Sequence, residues 1–403
     1  MSIVEAQPLP VRTPAKSHRM LQLDVLRGVA ILLVLCRHPM VSPDAAGGAR
    51  IPATAIYHLG WTGVDLFFVL SGFLVGGLLM KELRARGRLD IKRFIIRRGL
   101  KIWPAYYVMI LCALGITAWR HGPGTAARLY WPNLLHLQNY ISLGPEFAGQ
   151  TWSLAVEEHF YLALPLLLWL LVRRRAGDTA GLRFLPAISG AAVVACFVAR
   201  CVIMSHRSHF GYRTMHFPTH MRIDALGTGV LLAYLYHFHP RLYESIGRRR
   251  WLLIALGVAM ISPMAVLELE TSRFVSTFGY TLLALGYAAI LVALVQTPVG
   301  PAGGILGRLL ASPASRLIGA IGVVSYSIYL WMFFVSEFIQ WALKGDSLNS
   351  LNPSTQWLVT MGLWIGGAWL AGEVSAKVME LPVLRLRDRL FPARSDALRQ
   401  GAA

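Results

Sequence analysis

The first apolar segment of the chain carries ionisable residues at both ends, Arg27 near its start and His38 at its finish. On a helix the eleven residues from one to the other span roughly 16 Å, about half of the hydrocarbon thickness of a membrane. Ionisable groups are costly in that environment, so both are candidates for function. Histidine titrates near neutral pH and can act as a general base or as an acyl-accepting nucleophile. The residues alone leave both roles open for His38.

Carboxylates that could support His38 occur in two later apolar segments. Asp65 opens a run rich in small residues, where it could pair with an arginine or orient the histidine. Close helix packing accounts for the small residues themselves. Glu157 and Glu158 follow Ser153, which suits an N-cap, and two adjacent acids point to different faces of a helix. We therefore expect at least one glutamate to face the bundle interior, and we predict all three acids as catalytic or histidine-orienting residues.

A basic run between the second and third apolar segments suits an anionic ligand. Residues 81–101 carry nine cations, and Arg93, Arg97 and Lys101 recur every four residues, which places them on one face of a helix. Guanidinium groups bind phosphate oxygens in a bidentate manner. Anchoring to anionic lipid headgroups is the alternative, because cations also accumulate in cytoplasmic loops.

Further polar residues stand where later apolar segments begin. Arg222 and Asp224 lie two positions apart, which predicts either a solvated helix start or a pairing that lines an outer vestibule. Together with Trp152 and Ser153 they are the candidate substrate-binding residues. One outer loop also holds four histidines, but the short spacing and cysteine partners of a structural zinc site are missing, so no metal is predicted. These histidines are His206, His209, His216 and His220.

The composition is that of a membrane protein. The 403 residues are 55% hydrophobic and only 15% charged, whereas soluble domains contain roughly 25% charged residues. The first 20 residues lack the apolar core and cleavage site of a signal peptide. The four cysteines lie in apolar runs, which argues against a disulfide framework. Runs long enough to span a membrane can be drawn at 21–38, 59–80, 102–120, 153–172, 184–204, 221–238, 251–267, 278–297, 317–341 and 357–379.

The basic excess predicts the orientation of these spans. The net charge is +19, and with both termini inside, 27 of the 39 lysines and arginines fall in inner segments and seven in outer loops. Cations accumulate in cytoplasmic loops, so both termini are predicted to be cytoplasmic and nucleic-acid binding is disfavoured. The sequence predicts an all-α, polytopic integral membrane protein with about ten transmembrane helices in a single bundle. The membrane domain covers 21–380, between cytoplasmic tails at 1–20 and 381–403.

Motifs in order along the chain resemble those of acyltransferase family 3, the multi-span bacterial membrane O-acyltransferases. They are Arg27, Ala30, Val34 and His38 in the first span, the run 66–73, Arg97 and Arg98 ahead of Ile102 and Pro104, 152–154 with 156–158, 325–331 and 380–382. Three positions depart from the family's usual pattern, since Lys101, His159 and Met332 stand where arginine, glutamine and histidine are frequent.

The resemblance implies a multi-pass enzyme of the inner membrane. Such an enzyme takes an acyl group, for which we expect acetyl, from cytoplasmic acyl-CoA and places it on a hydroxyl of an extracytoplasmic acceptor, for which we expect a saccharide. His38 would be its catalytic histidine, with membrane lipids around it. A glycan or lipid transporter, whose intramembrane charges line a path, is the alternative. The residues expected to bind the donor acyl-CoA are Arg27, Arg93, Arg97, Arg98 and Lys101.

Overall fold

A computed structural model describes residues 20–141, 147–172, 180–207, 210–343 and 351–392, and all regular structure in these ranges is helical. Residues 1–19 and 393–403 of the two predicted tails lie outside the described residues. The α-helices are α1 Leu21–Arg37, α2 Arg50–Gly60, α3 Gly63–Arg86, α4 Ile91–His121, α5 Pro123–Leu134, α6 Gln138–Ile141, α7 Trp152–Val172, α8 Leu185–His206, α9 Ile223–Phe238, α10 Pro240–Gly247, α11 Arg250–Ile261, α12 Tyr280–Val295, α13 Gly304–Ala311, α14 Pro313–Val323, α15 Ser325–Ala342, α16 Pro353–Ser375 and α17 Leu381–Leu390.

Each of the ten predicted spans coincides with helical structure, but fewer helical segments are long and apolar enough to cross a membrane alone. Within the described residues five qualify, and α14 with α15 gives a sixth if this bent pair is one span. Helix α9 is apolar but shorter. The all-helical, multi-span architecture is therefore supported, whereas the number ten and the cytoplasmic termini stay predictions. The five segments are Ala46–Arg86, Ile91–His121, Gly149–Val172, Ala180–His206 and Val275–Val295.

Glycines allow α3 and α9 to pack with their backbones in close contact. A methyl group on Gly72 would lie 2.1 Å from the carbonyl oxygen of Leu226. One on Gly229 would lie 2.2 Å from the carbonyl oxygen of Val69. Small residues permit this approach where no water drives helices together. The close packing predicted for the small-residue run is confirmed at this crossing.

Helix α14 packs along the first half of α1, and the chain then bends by 75° into α15. A methyl group on Gly322 would lie 1.9 Å from the carbonyl oxygen of Asp24, and one on Gly28 would lie 2.0 Å from that of Ile318. Because α15 starts directly after this contact, at Ser325, its N-terminus lies beside α1.

The predicted C-terminal tail begins with a helix. Residues of α17 and the turn after it contact the start of α4: Arg93 donates to the carbonyl oxygen of Pro392, and Arg97 donates to that of Phe391. Arg97 also donates to the carboxylate of Asp388 at 3.1 Å. The arginines and the open carbonyls of a helix C-terminus complement each other in charge.

Candidate active site

A cavity of about 600 Å³ lies between α1, α3, α4, α7, α9 and α15. Along α3 its lining extends from Val64 to Lys81, which is roughly 25 Å on a helix. Aromatic and aliphatic side chains make up most of the wall. The charged residues that line it are Asp24, Arg27, Lys81, Arg98, Lys101, Glu157 and Glu158.

Two cations of the cavity lack a direct ion pair within the described part of the chain. Among the described residues, neither Arg98 nor Lys101 forms an ion pair. The guanidinium carbon of Arg98 lies 4.4 Å from the centroid of the Tyr161 ring, and its Nε is buried without a hydrogen-bond partner. Glu157 and Glu158 lie near Arg98, and Glu380 lies near Lys101. Because none of these carboxylates forms a direct ion pair with them, the guanidinium and ammonium groups keep donors that suit an anionic ligand.

The predicted basic ladder on α4 is divided between two surroundings. Lys101 lines the cavity, whereas Arg93 and Arg97 contact α17 and do not line it. Arg98, which is rotated by about 100° from its neighbour on the helix, faces the cavity instead. The cations of α4 that face the cavity are therefore the i, i+3 pair Arg98 and Lys101.

The predicted acids Glu157 and Glu158 both line the cavity, but their hydrogen bonds differ. Oε2 of Glu157 accepts from the Tyr161 hydroxyl at 2.7 Å, and that hydroxyl lies 2.7 Å from the Ser71 hydroxyl. Oε2 of Glu158 accepts from the Trp103 indole at 3.1 Å, while its Oε1 is buried without a partner. Glu157 thus fixes the ring on which Arg98 rests.

Asp65 and Arg222 form a buried ion pair at 2.7 Å, and both side chains are 1% exposed. The Arg222 guanidinium also lies 4.3 Å from the ring centroid of Tyr280. Asp224 pairs with Arg200 at 2.6 Å, likewise in the interior. The solvated helix start considered for Arg222 and Asp224 is therefore wrong, because each has an opposite charge on a neighbouring helix. Of the two roles left open for Asp65, the structure shows the arginine pairing.

His38 follows the last residue of α1, at the end opposite to Arg27. His38 as a whole residue is exposed, and its imidazole packs against Phe333 on α15 with ring centroids 5.2 Å apart in an edge-on arrangement. The neighbouring Arg37 pairs with Glu270 at 2.6 Å and lies over the ring of Tyr57. Among the described residues, no carboxylate hydrogen-bonds to His38.

The cavity ends about one helical turn short of His38. A methyl group on Gly63 would lie 2.4 Å from the carbonyl oxygen of Ala30 and 3.1 Å from a side-chain carbon of Val34. Val64, the next residue of α3, lines the cavity. His38 follows Val34 by four residues, which is about 6 Å along the helix axis.

The candidate substrate contacts Trp152 and Ser153 have different surroundings. Ser153 lines the cavity, and its hydroxyl lies 2.6 Å from the hydroxyl of Tyr329. Trp152 packs against His216 with ring centroids 4.6 Å apart and does not line the cavity. His216 in turn lies 2.8 Å from the Tyr280 hydroxyl. Trp152 therefore belongs to the aromatic packing around the buried ion pairs.

Several residues that line the cavity are not among the site residues predicted from the sequence. Tyr161, Tyr326 and Tyr329 line the cavity with Ser325. Tyr329 follows Ser325 by four residues on α15, and Tyr161 follows Glu157 by four on α7, which places each pair on one helix face. That spacing could have marked them as polar residues facing the acids and cations.

A further contact joins the loop after α8 to the loop after α11. The Tyr212 hydroxyl donates to Glu270, the residue that also accepts from Arg37. Burial and this bond to a carboxylate raise the pKa of Tyr212 to about 12, so the phenol remains a donor near neutral pH. Sequence reasoning missed this contact, since the partners are far apart in the chain.

The loop histidines do not come together. His216 is buried, whereas His206 bonds within its own helix and His220 stacks on Tyr140. His209 lies outside the described residues. The described part of the chain contains no group of three or more histidine, cysteine, aspartate or glutamate side chains placed to hold a metal ion.

The fold and the site define a multi-span helical membrane protein with a cation-lined interior cavity. A family model described as an acyltransferase domain, that of acyltransferase family 3, matches residues 20–373, and the chain belongs to this family. The family predicted from the motifs is thereby confirmed.

Two relatives have names that state an activity. The chain is 26% identical over 364 residues to the peptidoglycan O-acetyltransferase OatA of Listeria monocytogenes, which covers 85% of this chain and 55% of the relative. It is 25% identical over 311 residues to the O-acetyltransferase OatA of Staphylococcus aureus, covering 70% and 48%. The chain thus spans about half the length of these relatives. No solved structure matches it.

Proposed function

We propose that the protein is a membrane O-acyltransferase that moves an acyl group, for which we expect acetyl, from cytoplasmic acyl-CoA to a hydroxyl group of an extracytoplasmic glycan. The observation that carries this proposal is the pair Arg98 and Lys101, which line a cavity of about 600 Å³ and form no direct ion pair within the described residues. Family membership and the names of the two O-acetyltransferase relatives support the reaction class and the glycan acceptor.

The donor would lie along α3. Its phosphates would contact Arg98 and Lys101, where charge-assisted hydrogen bonds are available. Its uncharged arm would follow the aromatic and aliphatic wall toward Val64. The Tyr161 ring and Glu157 hold the Arg98 guanidinium in place. Glu157 is therefore assigned as a positioning residue of the donor site.

His38 would perform the chemistry in one of two ways. As a general base it takes the proton of the acceptor hydroxyl while the hydroxyl oxygen attacks the thioester carbonyl; the carbon–sulfur bond breaks and the CoA thiolate leaves with a proton. As a nucleophile, its ring nitrogen first attacks the thioester carbonyl, and the carbon–sulfur bond breaks as the CoA thiolate leaves. The acceptor hydroxyl oxygen then attacks the acyl carbon, the carbon–nitrogen bond breaks, and the hydroxyl proton passes to the released imidazole nitrogen. Asp65 is not assigned a role in orienting His38, because its carboxylate binds Arg222.

The proposal is tested with the purified protein in nanodiscs, supplied with acetyl-CoA and a glycan acceptor while release of free CoA is measured. We expect His38→Ala to abolish transfer and His206→Ala, an exposed control, to leave it unchanged. Undiminished transfer by His38→Ala would refute the mechanism.

A second measurement separates an acyltransferase from a transporter. Equilibrium binding of CoA is expected for the wild-type protein and for His38→Ala, and it is expected to be lost in the double variant Arg98→Ala with Lys101→Ala. Arg128→Ala, an exposed arginine of α5, is the matched control. No CoA binding, together with glycan movement across the membrane, would establish the transporter instead. Mass analysis of envelope glycans from cells with and without this gene would then identify the acceptor.

A further inference from the structure

Helix α15 begins inside the bundle rather than at its surface. The chain bends by 75° between α14 and α15, and no side chain caps the N-terminus of α15. The first N–H groups of a helix have no intrahelical acceptor and carry partial positive charge. A helix of 18 residues that starts in a cavity wall therefore offers donors and positive potential to that cavity.

Ser325, the first residue of α15, has a hydroxyl without a partner. It is 1% exposed and lines the cavity, and its Oγ is buried with no hydrogen bond among the described residues. A buried hydroxyl without a partner is costly, so native proteins supply one. Ser327, by contrast, bonds to Ser375 and Glu380. Of these two serines, only Ser325, which lines the cavity, lacks a hydrogen-bond partner for its hydroxyl among the described residues.

Two contacts hold this helix start next to the cations of the donor cavity. The tight packing of Gly322 on Asp24 and Gly28 brings the end of α14 against the turn of α1 that contains Arg27. Tyr326 donates to the carbonyl oxygen of Ile102 at 2.7 Å, and Ile102 is the neighbour of Lys101.

We propose that the first turn of α15, with the Ser325 hydroxyl, binds a phosphate group together with Arg27, Arg98 and Lys101. Three carboxylates near these cations already accept hydrogen bonds, Glu157 from Tyr161, Glu158 from Trp103 and Glu380 from Ser327. The inference rests on the proposed function in one respect, namely that the phosphate belongs to acyl-CoA. A membrane-lipid headgroup is the other source of such a phosphate group.

The test measures equilibrium binding of coenzyme A, dephospho-coenzyme A and pantetheine to the full-length protein in nanodiscs. Loss of one charge-assisted hydrogen bond corresponds to about tenfold or more in affinity. We expect Ser325→Ala and Ser325→Gly to weaken binding of the two phosphorylated ligands by that factor and to leave pantetheine unchanged. Ser325→Thr, which keeps a hydroxyl, should bind as the wild type does. Ser336→Ala is the matched control, because Ser336 lies on the same helix away from the cavity.

Equal affinities of the wild type and Ser325→Ala for coenzyme A would overturn the inference. So would a loss of affinity for pantetheine in Ser325→Ala as large as the loss for coenzyme A. If the wild-type protein binds no coenzyme A, the donor of the proposed function is wrong, and the lipid source is tested separately. Native mass spectrometry from nanodiscs of phosphatidylglycerol then measures retained lipid. Less retention by Ser325→Ala than by Ser336→Ala would support a lipid phosphate at this site, and equal retention would overturn it.

Discussion

Removing Asp65 is expected to destabilise the protein strongly, because its partner Arg222 would stay buried without its ion pair, and the nearby Asp224 is already paired with Arg200. Arg222 is among the fully buried side chains, and it forms a 2.7 Å ion pair with Asp65. Its Nε and its second terminal nitrogen have no hydrogen-bond partner. Breaking one side of such a pair costs about 3–5 kcal/mol. We expect Asp65→Ala to lower the free energy of unfolding by that amount.

An exposed ion pair of the same length provides the comparison. Arg120 and Glu337 also lie 2.7 Å apart, but their side chains are 32% and 40% exposed. Exposed pairs contribute about 0–1 kcal/mol because water and salt screen them. Glu337→Ala should therefore lower the free energy of unfolding by less than about 1 kcal/mol, although the contact distance is identical.

The assay is reversible unfolding in mixed micelles, followed by tryptophan fluorescence during titration with dodecyl sulfate. The double variant Asp65→Leu with Arg222→Met removes both charges, and replacing a buried pair by apolar residues is often neutral or stabilising. A cycle of the wild type, Asp65→Leu, Arg222→Met and the double variant should therefore give a coupling energy of about 3 kcal/mol or more. A change below about 1 kcal/mol for Asp65→Ala, or a double variant as unstable as the single one, would refute the reasoning. A stable Asp65→Ala protein without activity would instead favour a role in orienting His38.

Three further outcomes follow from contacts elsewhere. Gly72→Ala would place a methyl group 2.1 Å from a backbone oxygen and should lower the free energy of unfolding by about 1–3 kcal/mol. Gly362→Ala, whose methyl group would have nothing within 4 Å, should leave it unchanged in the same titration. Equal effects of the two substitutions would contradict the close packing at Gly72. Asp388→Ala removes a carboxylate that is 53% exposed and should change stability by under about 1 kcal/mol, with a smaller change at high salt. Glu270→Gln removes the ion-pair partner of Arg37, the residue beside His38. We expect a lower kcat with an unchanged KM for acetyl-CoA. A raised KM with an unchanged kcat would contradict this expectation.

The positions of the helices could be predicted from the sequence because long apolar runs leave few alternatives in a membrane. Close packing of α3 was also predictable from the small residues around Gly72, although the sequence did not identify α9 as its partner. The bend before Ser325 could not be predicted, because the two residues at the bend, Val323 and Val324, are neither glycine nor proline.

The partners of the charged residues could not be predicted, because they depend on contacts between distant parts of the chain. Asp65 and Arg222 are 157 residues apart, and Arg97 and Asp388 are 291 apart. Periodicity places residues on a helix face but does not identify the element that covers that face. For that reason the sequence predicts Arg97 as a donor-binding residue, whereas in the structure its guanidinium donates to Asp388 of α17 and to the carbonyl oxygen of Phe391.

The placement of Arg27 and His38 on one helix limits how an acyl group can travel. Arg27 lines the cavity, while His38 lies roughly 16 Å farther along α1 and about one turn beyond the level of Val64. Phosphates bound at the cations therefore cannot approach His38 without leaving them. Only the extended, uncharged arm of a donor could cover the remaining distance, and the apolar wall along α3 offers it a path without desolvating charge. Under the proposed function, the acyl group thus crosses the bundle while the charged part of its donor stays at the cations.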